Sequence, residues 1–407
     1  MRAVWALFLL GCGFQSHAAS SPGAGDDAGG LSDGDIVDLS PICPSILLGN
    51  PQFHASTCAT PASTVVQITA DTSFDTDRGT SDRDGMTCTR VHNDGASSGG
   101  GGDICVLAAA SIVVPSGVVL SAHGALPFAL FARSITVQGT IDVASHPGRP
   151  TAAGSVTTGC IAGLLPTGGG GGRGGDAADR GGPGGDEGSH SGTGATGGGT
   201  FSFNDITGGG CGGTRGGTGG GGSASSDGGN ATGGAGGGAV WIVSLSSDLL
   251  IDAHAKINAS GASGIGGQHE GEGGAGGGAG GLILLQAPRI RLDPTAAIFA
   301  NGGHGGGGTG SNMSEAGFLG GADGTDPLDA ASGGGGGTGG LDGGSAVGTS
   351  NGGDGGPGFP FPARAGAPGT TDAHGGGGGG GGPGAIRVVS ATDITGPNVS
   401  PAPVILK

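Results

Sequence analysis

Three tracts built almost entirely from small residues constrain this chain more than anything else in it: Gly168–Gly238, Gly261–Gly281 and Gly302–Gly384, the last holding eight consecutive glycines at Gly375–Gly382. Backbone without a Cβ has no side chain to bury, and it loses more conformational freedom on ordering than any other. Two states are physically open to such tracts. They stay flexible, as glycine and serine linkers do. Or they pack side by side as extended helices of three residues per turn, where the missing side chains let neighbouring backbones hydrogen-bond to one another. In either state the apolar core lies elsewhere.

That core is legible between the tracts. From residue 126 a cassette recurs in which Leu249, Ile251, Asp252, Ile257, Ala259, Ser260 and Gly261 are matched 41 positions later by Ile290, Leu292, Asp293, Ile298, Ala300, Asn301 and Gly302. An earlier copy spans Leu130–Val137 with Ile141 and Ser145, its turn two residues shorter, and an opening half recurs at Ala385–Thr395. Alternation with period two and β-branched residues predicts strands. One copy has too little apolar surface to fold alone, so equal copies are expected to stack and share a core. The expected fold is all-β: a parallel β-helix or β-roll of stacked repeats, with the glycine tracts leaving it as long loops. A β-sandwich made of the same strands as hairpins is the competing arrangement. Upstream, Ser63–Ala70 alternates weakly as an exposed strand does, and Ser111–Leu120 reads as strand, turn, strand around Pro115-Ser116-Gly117.

The start of the chain has the layout of an export signal, with Arg2, the apolar run Ala3–Leu10, then Gly11 and Cys12. Two processing routes are open. Leu9-Leu10-Gly11-Cys12 has the form of a bacterial lipobox, which makes Cys12 a lipidated first residue anchored to a membrane. Ser16-His17-Ala18 has the form of an ordinary signal peptidase site, which gives a secreted chain. The organisation expected is an export signal at 1–18, a polar tether at 19–35, a cysteine-bearing β segment at 36–125 and the repeat region at 126–407. Setting Cys12 aside leaves Cys43, Cys58, Cys88, Cys105, Cys160 and Cys211, an even six in an exported chain, which predicts three disulfides. Sequential neighbours are the expected pairs, because short loops close most readily.

The charge and composition narrow the partners. A formal net charge of -17 and an aromatic content of 3% argue against a phosphate-tracking surface or a base-stacking platform, so no nucleic-acid partner is expected. Asp75, Asp77, Asp82 and Asp84 crowd around Gly79 and Gly85, where they form either a solvated acidic turn or a calcium site. No glutamate closes the cluster as a complete EF-hand loop requires. Asp323, Asp326 and Asp329 form a second, weaker cluster.

Catalytic patterns fare worse. At this glycine content G-x-G-x-x-G arises by chance, and the only lysines are Lys256 and Lys407, so no phosphate-binding lysine motif exists. Gly95-Ala96-Ser97-Ser98-Gly99 matches a nucleophile elbow in letters alone, since no strand and helix flank it. His269, Glu270 and Glu272 read as a charged bump within a tract, and His254 sits in a repeat turn opposite Thr295. Asp142, Asp252, Arg291 and Asp293 are the only outward charges the cassettes offer, and aligned aspartates at 252 and 293 most simply mark equivalent turns. No enzyme activity and no cofactor are expected.

Three motifs outside the tracts carry a resemblance: Phe74-Asp75-Thr76-Asp77 followed by a glycine, Ile112-Val113-Val114-Pro115-Ser116-Gly117, and Ile135-Thr136-Val137-Gln138-Gly139-Thr140-Ile141-Asp142. In this order, with the tracts behind them, they resemble glycine-rich bacterial envelope proteins of the hypothetical lipoprotein and PE-PGRS-like kind. The resemblance implies an exported surface protein and carries over no catalytic residue. The function expected is therefore a structural or adhesive protein of the cell envelope, on the outer membrane or cell surface, or secreted. The competing expectation is a carbohydrate-binding or carbohydrate-active β-helix protein contacting polysaccharide or other surface components.

Overall fold

The computed structural model of the chain describes residues 64–83, 85–91, 103–155, 160, 164–188, 192–196, 208–218, 231–269, 271–310, 321–329, 336–338, 352–362, 364–370, 374–391, 394 and 398–406. The export signal, the tether, Cys12, Cys43, Cys58, Asp84 and Glu270 lie outside these residues, as does the Gly95–Gly99 motif.

Among the described residues the chain is all-β, and its strands form two sheets. The first runs β1 (Val65–Gln67), β5 (Ile104–Val114), β7 (Phe128–Val137), β9 (Ala239–Ser244), β12 (Leu282–Gln286), β15 (Ala385–Val389) and β17 (Val404–Leu406). It also takes in β4 (Thr89–Val91), β10 (Leu249–Ile251) and β13 (Ile290–Leu292). The second runs β16 (Val399–Ser400), β14 (Ala297–Phe299), β11 (Lys256–Asn258), β8 (Thr140–Asp142), β6 (Val119–His123), β2 (Thr72–Asp75) and β3 (Thr80–Ser81). Among the named strands, all pairings are parallel except β2 with β3 and β4 with β5. Parallel neighbours require crossovers rather than tight hairpins, so a sandwich of hairpins is not what these strands build.

The 41-residue repeat is the pairing register. Leu249 lies beside Ile290 and Ile251 beside Leu292 in the first sheet, and Ile257 lies beside Ile298 in the second. The earlier copy joins the same rows, with Ile135 beside Leu249, Val137 beside Ile251 and, across its shorter turn, Ile141 beside Ile257. A one-residue slip would turn every one of these side chains to the wrong face. In register they form one apolar cluster, in which Ile135, Val137, Ile141, Leu249, Ile251, Ile257 and Ile298 are all 0% exposed. Each fully buried aliphatic side chain contributes about 1.5–3 kcal/mol. A second, smaller cluster of Ile104, Ala129, Phe131, Trp241, Val243 and Leu284 explains why β9 is buried at every position.

The described residues of the tracts do not leave as loops. Of the two states open to them, the described residues adopt the packed one, and the stretch 273–281 shows its geometry. Gly274, Gly277 and Gly280 donate to the carbonyls of Gly376, Gly379 and Gly382 at 2.9–3.0 Å. Gly273, Gly276 and Ala279 donate to Gly217, Thr214 and Cys211, while Ala275, Gly278 and Gly281 donate to Ile265, Ala262 and Ala259. Every third residue therefore faces the same neighbour, as a helix of three residues per turn demands. Its carbonyls accept from three further stretches, through Gly172 and Gly175, through Gly234 and Gly237, and through Gly303 and Gly306. Six neighbours around one tract is close hexagonal packing.

At its glycine positions facing a neighbour, a side chain has no room. A Cβ on Gly274, Gly277 or Gly280 would lie 2.0–2.2 Å from a carbonyl oxygen of the facing tract. Three of the stretches, 169–175, 273–281 and 375–384, run parallel and bond in a closed ring: Gly172 to Gly274, Gly274 to Gly376, and Gly376 to Gly169. Sheet and bundle are continuous. Leu282 N donates to Gly238 O and Ala385 N to Gly281 O, so the strand register passes directly into the tracts that precede β9, β12 and β15.

Candidate functional site

The acidic residues singled out around Gly79 are committed to backbone. Asp75 Oδ1 accepts from the amides of Asp77 and Arg78 at 3.0 and 3.1 Å, Asp77 Oδ1 from Ala125 at 2.9 Å, and Asp82 Oδ1 from Ser73 at 2.8 Å. They fasten the β2–β3 turn to itself and to the loop after β6. Among the described residues, no group of three or more His, Cys, Asp or Glu side chains is arranged to hold a metal ion. Two of the expected disulfides are present, Cys88–Cys105 and Cys160–Cys211, with Cα separations of 5.3 and 5.8 Å.

The aspartates at 252 and 293 mark equivalent turns. Ala255 N donates to Asp252 O and Ala296 N to Asp293 O, at the same position in each copy. Gln138 Nε2, at the corresponding turn of the earlier copy, donates to Asp252 Oδ2 at 3.0 Å and holds that carboxyl below the usual carboxylate range. Asp293 is lowered likewise by Thr295, whose hydroxyl also accepts from His254 N. His254 has a φ of 61°, a left-handed conformation that the equivalent turn at Asp293 does without. Arg291 and Arg289 both reach Asp248, at 2.6 and 2.9 Å, on an exposed face of β13.

The densest titratable cluster joins residues that the sequence keeps far apart. His146, just after β8, places Nε2 3.2 Å from Asp142 Oδ2 and Nδ1 3.0 Å from Asp326 Oδ2. Asp326 Oδ1 accepts in turn from Ser263 N and Ser263 Oγ. Hydrogen bonds to Asp142 and then Asp326 outweigh burial and raise the imidazole to about 9, so both ring nitrogens donate and the ring is charged at neutral pH. Asp323 Oδ1 accepts from Gly266 N, and Asp329 O accepts from Asn301 Nδ2. A helix of three residues per turn puts 323, 326 and 329 on one edge, which explains their spacing.

Nearby His304 is 0% exposed, and burial pushes it down to about 4. Its Nδ1 accepts from Gly358 N at 2.9 Å, which fixes the neutral tautomer with the proton on Nε2. Deeper in the bundle, buried Glu272 accepts from the amides of Ala231, Gln268 and His269, and Asp176 pairs with Arg173 and accepts from Gly181 N.

Chemically this arrangement ties segments together. The Ser263 hydroxyl donates to the Asp326 carboxylate at 3.1 Å, which fastens the 263 stretch to the 321–329 stretch. A charged imidazole held between two carboxylates has no lone pair to accept a proton. A further concavity among the described residues is an open groove of about 580 Å³ at the carboxyl ends of β9, β12, β15 and β17, walled mainly by aliphatic side chains. No family model, curated protein or solved structure matches the chain.

Proposed function

We propose that the chain is an exported structural or adhesive protein of the bacterial cell envelope, displayed at the cell surface on a lipid attached to Cys12. The observation that carries this reading is the glycine bundle itself. Its tracts are ordered by close backbone packing, which yields a stiff body with a narrow set of exposed side chains. Asp142, His146 and Asp326 are engaged with one another, and Glu272 with backbone amides. The parallel register of both sheets supports a β-helix-like stack as the frame that holds the bundle. Two disulfides fit an oxidising compartment, where such bonds persist.

The test is fractionation of the native cells, followed by mass spectrometry of the mature chain and protease shaving of intact cells. The expected result is a diacylated Cys12 as the first residue, in the outer membrane fraction, with loss of the signal on shaving. A mature chain that begins at Ala19 or Ser20 would remove the anchor. A chain recovered from the cytoplasm with free thiols at Cys88 and Cys105 would remove the whole proposal.

A further inference from the structure

The two ends of the strand stack are finished differently. At one end, β3 folds back on β2 and β4 on β5, and the Cys88–Cys105 bridge pins the closure. Ile68 and Phe74 are 0% exposed there, although β1 is itself an outer strand of the first sheet with Val65 67% exposed. At the other end β16 and β17 are the outermost strands of the two sheets, and among the described residues each pairs on one side only, with β14 and β15. The core is open there: Val399 and Ile405 pack against it only partly buried, and Val404 is 48% exposed. The groove of about 580 Å³ opens beside β17, between Leu245, Ala287, Val389, Ala391 and Leu406. Gln286 also lines it, and its buried Oε1 accepts no hydrogen bond.

Stacked repeats need a terminal layer with a polar outer face, and an unpaired strand edge is a template for another strand. This end offers an edge, a half-open core and an apolar groove together. We propose that it docks a second copy of the same chain, β17 against β17, about a two-fold axis.

Charge and sequence both favour a copy over an unrelated chain. Two molecules of net charge -17 repel, yet residues 398–406 carry no charge and the next residue is the cationic Lys407, so close approach here adds no repulsion between carboxylates. A two-fold contact requires one patch to complement itself. Antiparallel pairing centred on Ile405 does this, because it sets Val404 of each copy opposite Leu406 of the other on the groove side. The two Ile405 side chains then meet on the core side and continue the apolar column. Pro401 and Pro403 lack N–H donors and confine the added pairing to Val404–Leu406, which favours a closed pair over an open fibre.

Sedimentation equilibrium of the full chain tests this, alongside hydrogen exchange at the Val404–Leu406 amides at low and high protein concentration. The expected result is a monomer–dimer equilibrium, with protection at these amides that rises with concentration. Val404→Lys/Leu406→Lys sets like charges against each other across the axis and is expected to weaken association about 100-fold or more. Its thermal transition reports whether the fold survives, and if it does not, the exchange of the unmodified chain decides alone. A monomer at every concentration with unchanging exchange would overturn the proposal, and so would a dimer that the folded double variant leaves intact. Protection that appears only when envelope extract is added would assign this end to a different polypeptide, which equally overturns it.

Discussion

Replacing Gly277 by alanine adds a single methyl group to the middle of the bundle, and its cost follows from what that methyl meets. The new Cβ sits 2.2 Å from Gly303 O and 2.6 Å from His304 O, where ordinary contact begins near 3.4 Å. The 300–309 tract must therefore retreat by about 1 Å. The hydrogen bonds that join the two tracts, Gly303 N to Gly278 O at 2.7 Å and Gly306 N to Ala275 O at 2.8 Å, then stretch beyond useful geometry. Both donors are buried. A buried polar group left unsatisfied costs about 1–3 kcal/mol, so the pair costs about 2–6 kcal/mol. The reduced freedom of the unfolded alanine chain offsets only about 0.4–1 kcal/mol of that.

Gly212→Ala is the matched control, since its Cβ would meet nothing nearer than Gly234 O at 3.2 Å. It is expected to stay within about 0.5 kcal/mol of the parent. Urea unfolding of both variants, followed by Trp fluorescence and far-ultraviolet circular dichroism, measures the gap. Equal midpoints at equal slope would refute the claim that the tracts are held by close backbone contact.

Loss of the Cys160–Cys211 bridge, whose ends are 51 positions apart in sequence, is expected to cost about 4 kcal/mol, against about 3 kcal/mol for Cys88–Cys105, 17 positions apart; paired serine variants in urea unfolding check the order. Ile257→Ala removes a side chain that is 0% exposed between Ile141 and Ile298, and should cost about 2–5 kcal/mol, whereas Leu250→Ala on the outer face should be nearly silent by the same assay. His146 is raised to about 9 in the folded chain, so its clamp stabilises fully below the unfolded value of 6.5 and is lost as pH rises through 9. The difference in urea midpoint between the parent and His146→Gln should therefore be widest below pH 6.5 and close above 9; a constant difference would contradict this. His304 runs the other way, because burial lowers it to about 4: the unfolded chain takes up a proton that the folded one refuses, and stability falls as pH drops from 6.5 towards 4. His304→Gln should flatten that acid limb.

The strands were legible because residues that stack at the same depth must be alike. Ile257 and Ile298 are identical for that reason, and the spacing of 41 between them is the pairing register itself. β16 and β17 were not legible, since Pro401 and Pro403 punctuate the segment as a tail while tertiary pairing with β14 and β15 overrides the signal. The Asp142–His146–Asp326 cluster was hidden for another reason. Its members stand up to 184 residues apart and meet only once the 321–329 stretch lies along 259–265. A signal existed in the spacing of Asp323, Asp326 and Asp329 by three. It becomes readable only when the helix is known to turn every three residues.

The same dependence explains why this chain carries strands and glycine tracts together. A tract alone has no apolar surface to bury, and each of its hydrogen bonds contributes only about 1 kcal/mol against the large entropy of ordering glycine. What it lacks is register, since any shift by three residues leaves an equivalent set of bonds. The sheet supplies it. Pairing of Leu282 with Ala385 and with Ala239 fixes where Gly281, Gly384 and Gly238 stand, so the tracts behind them start in step. The 209–217 stretch has no strand at its described ends, and there Cys211 is bonded to Cys160 and accepts from Ala279 N. Covalent linkage holds in place what no strand aligns. The bundle is thus a consequence of the repeat, and the stiffness on which the proposed envelope role depends originates in the aliphatic columns beneath it.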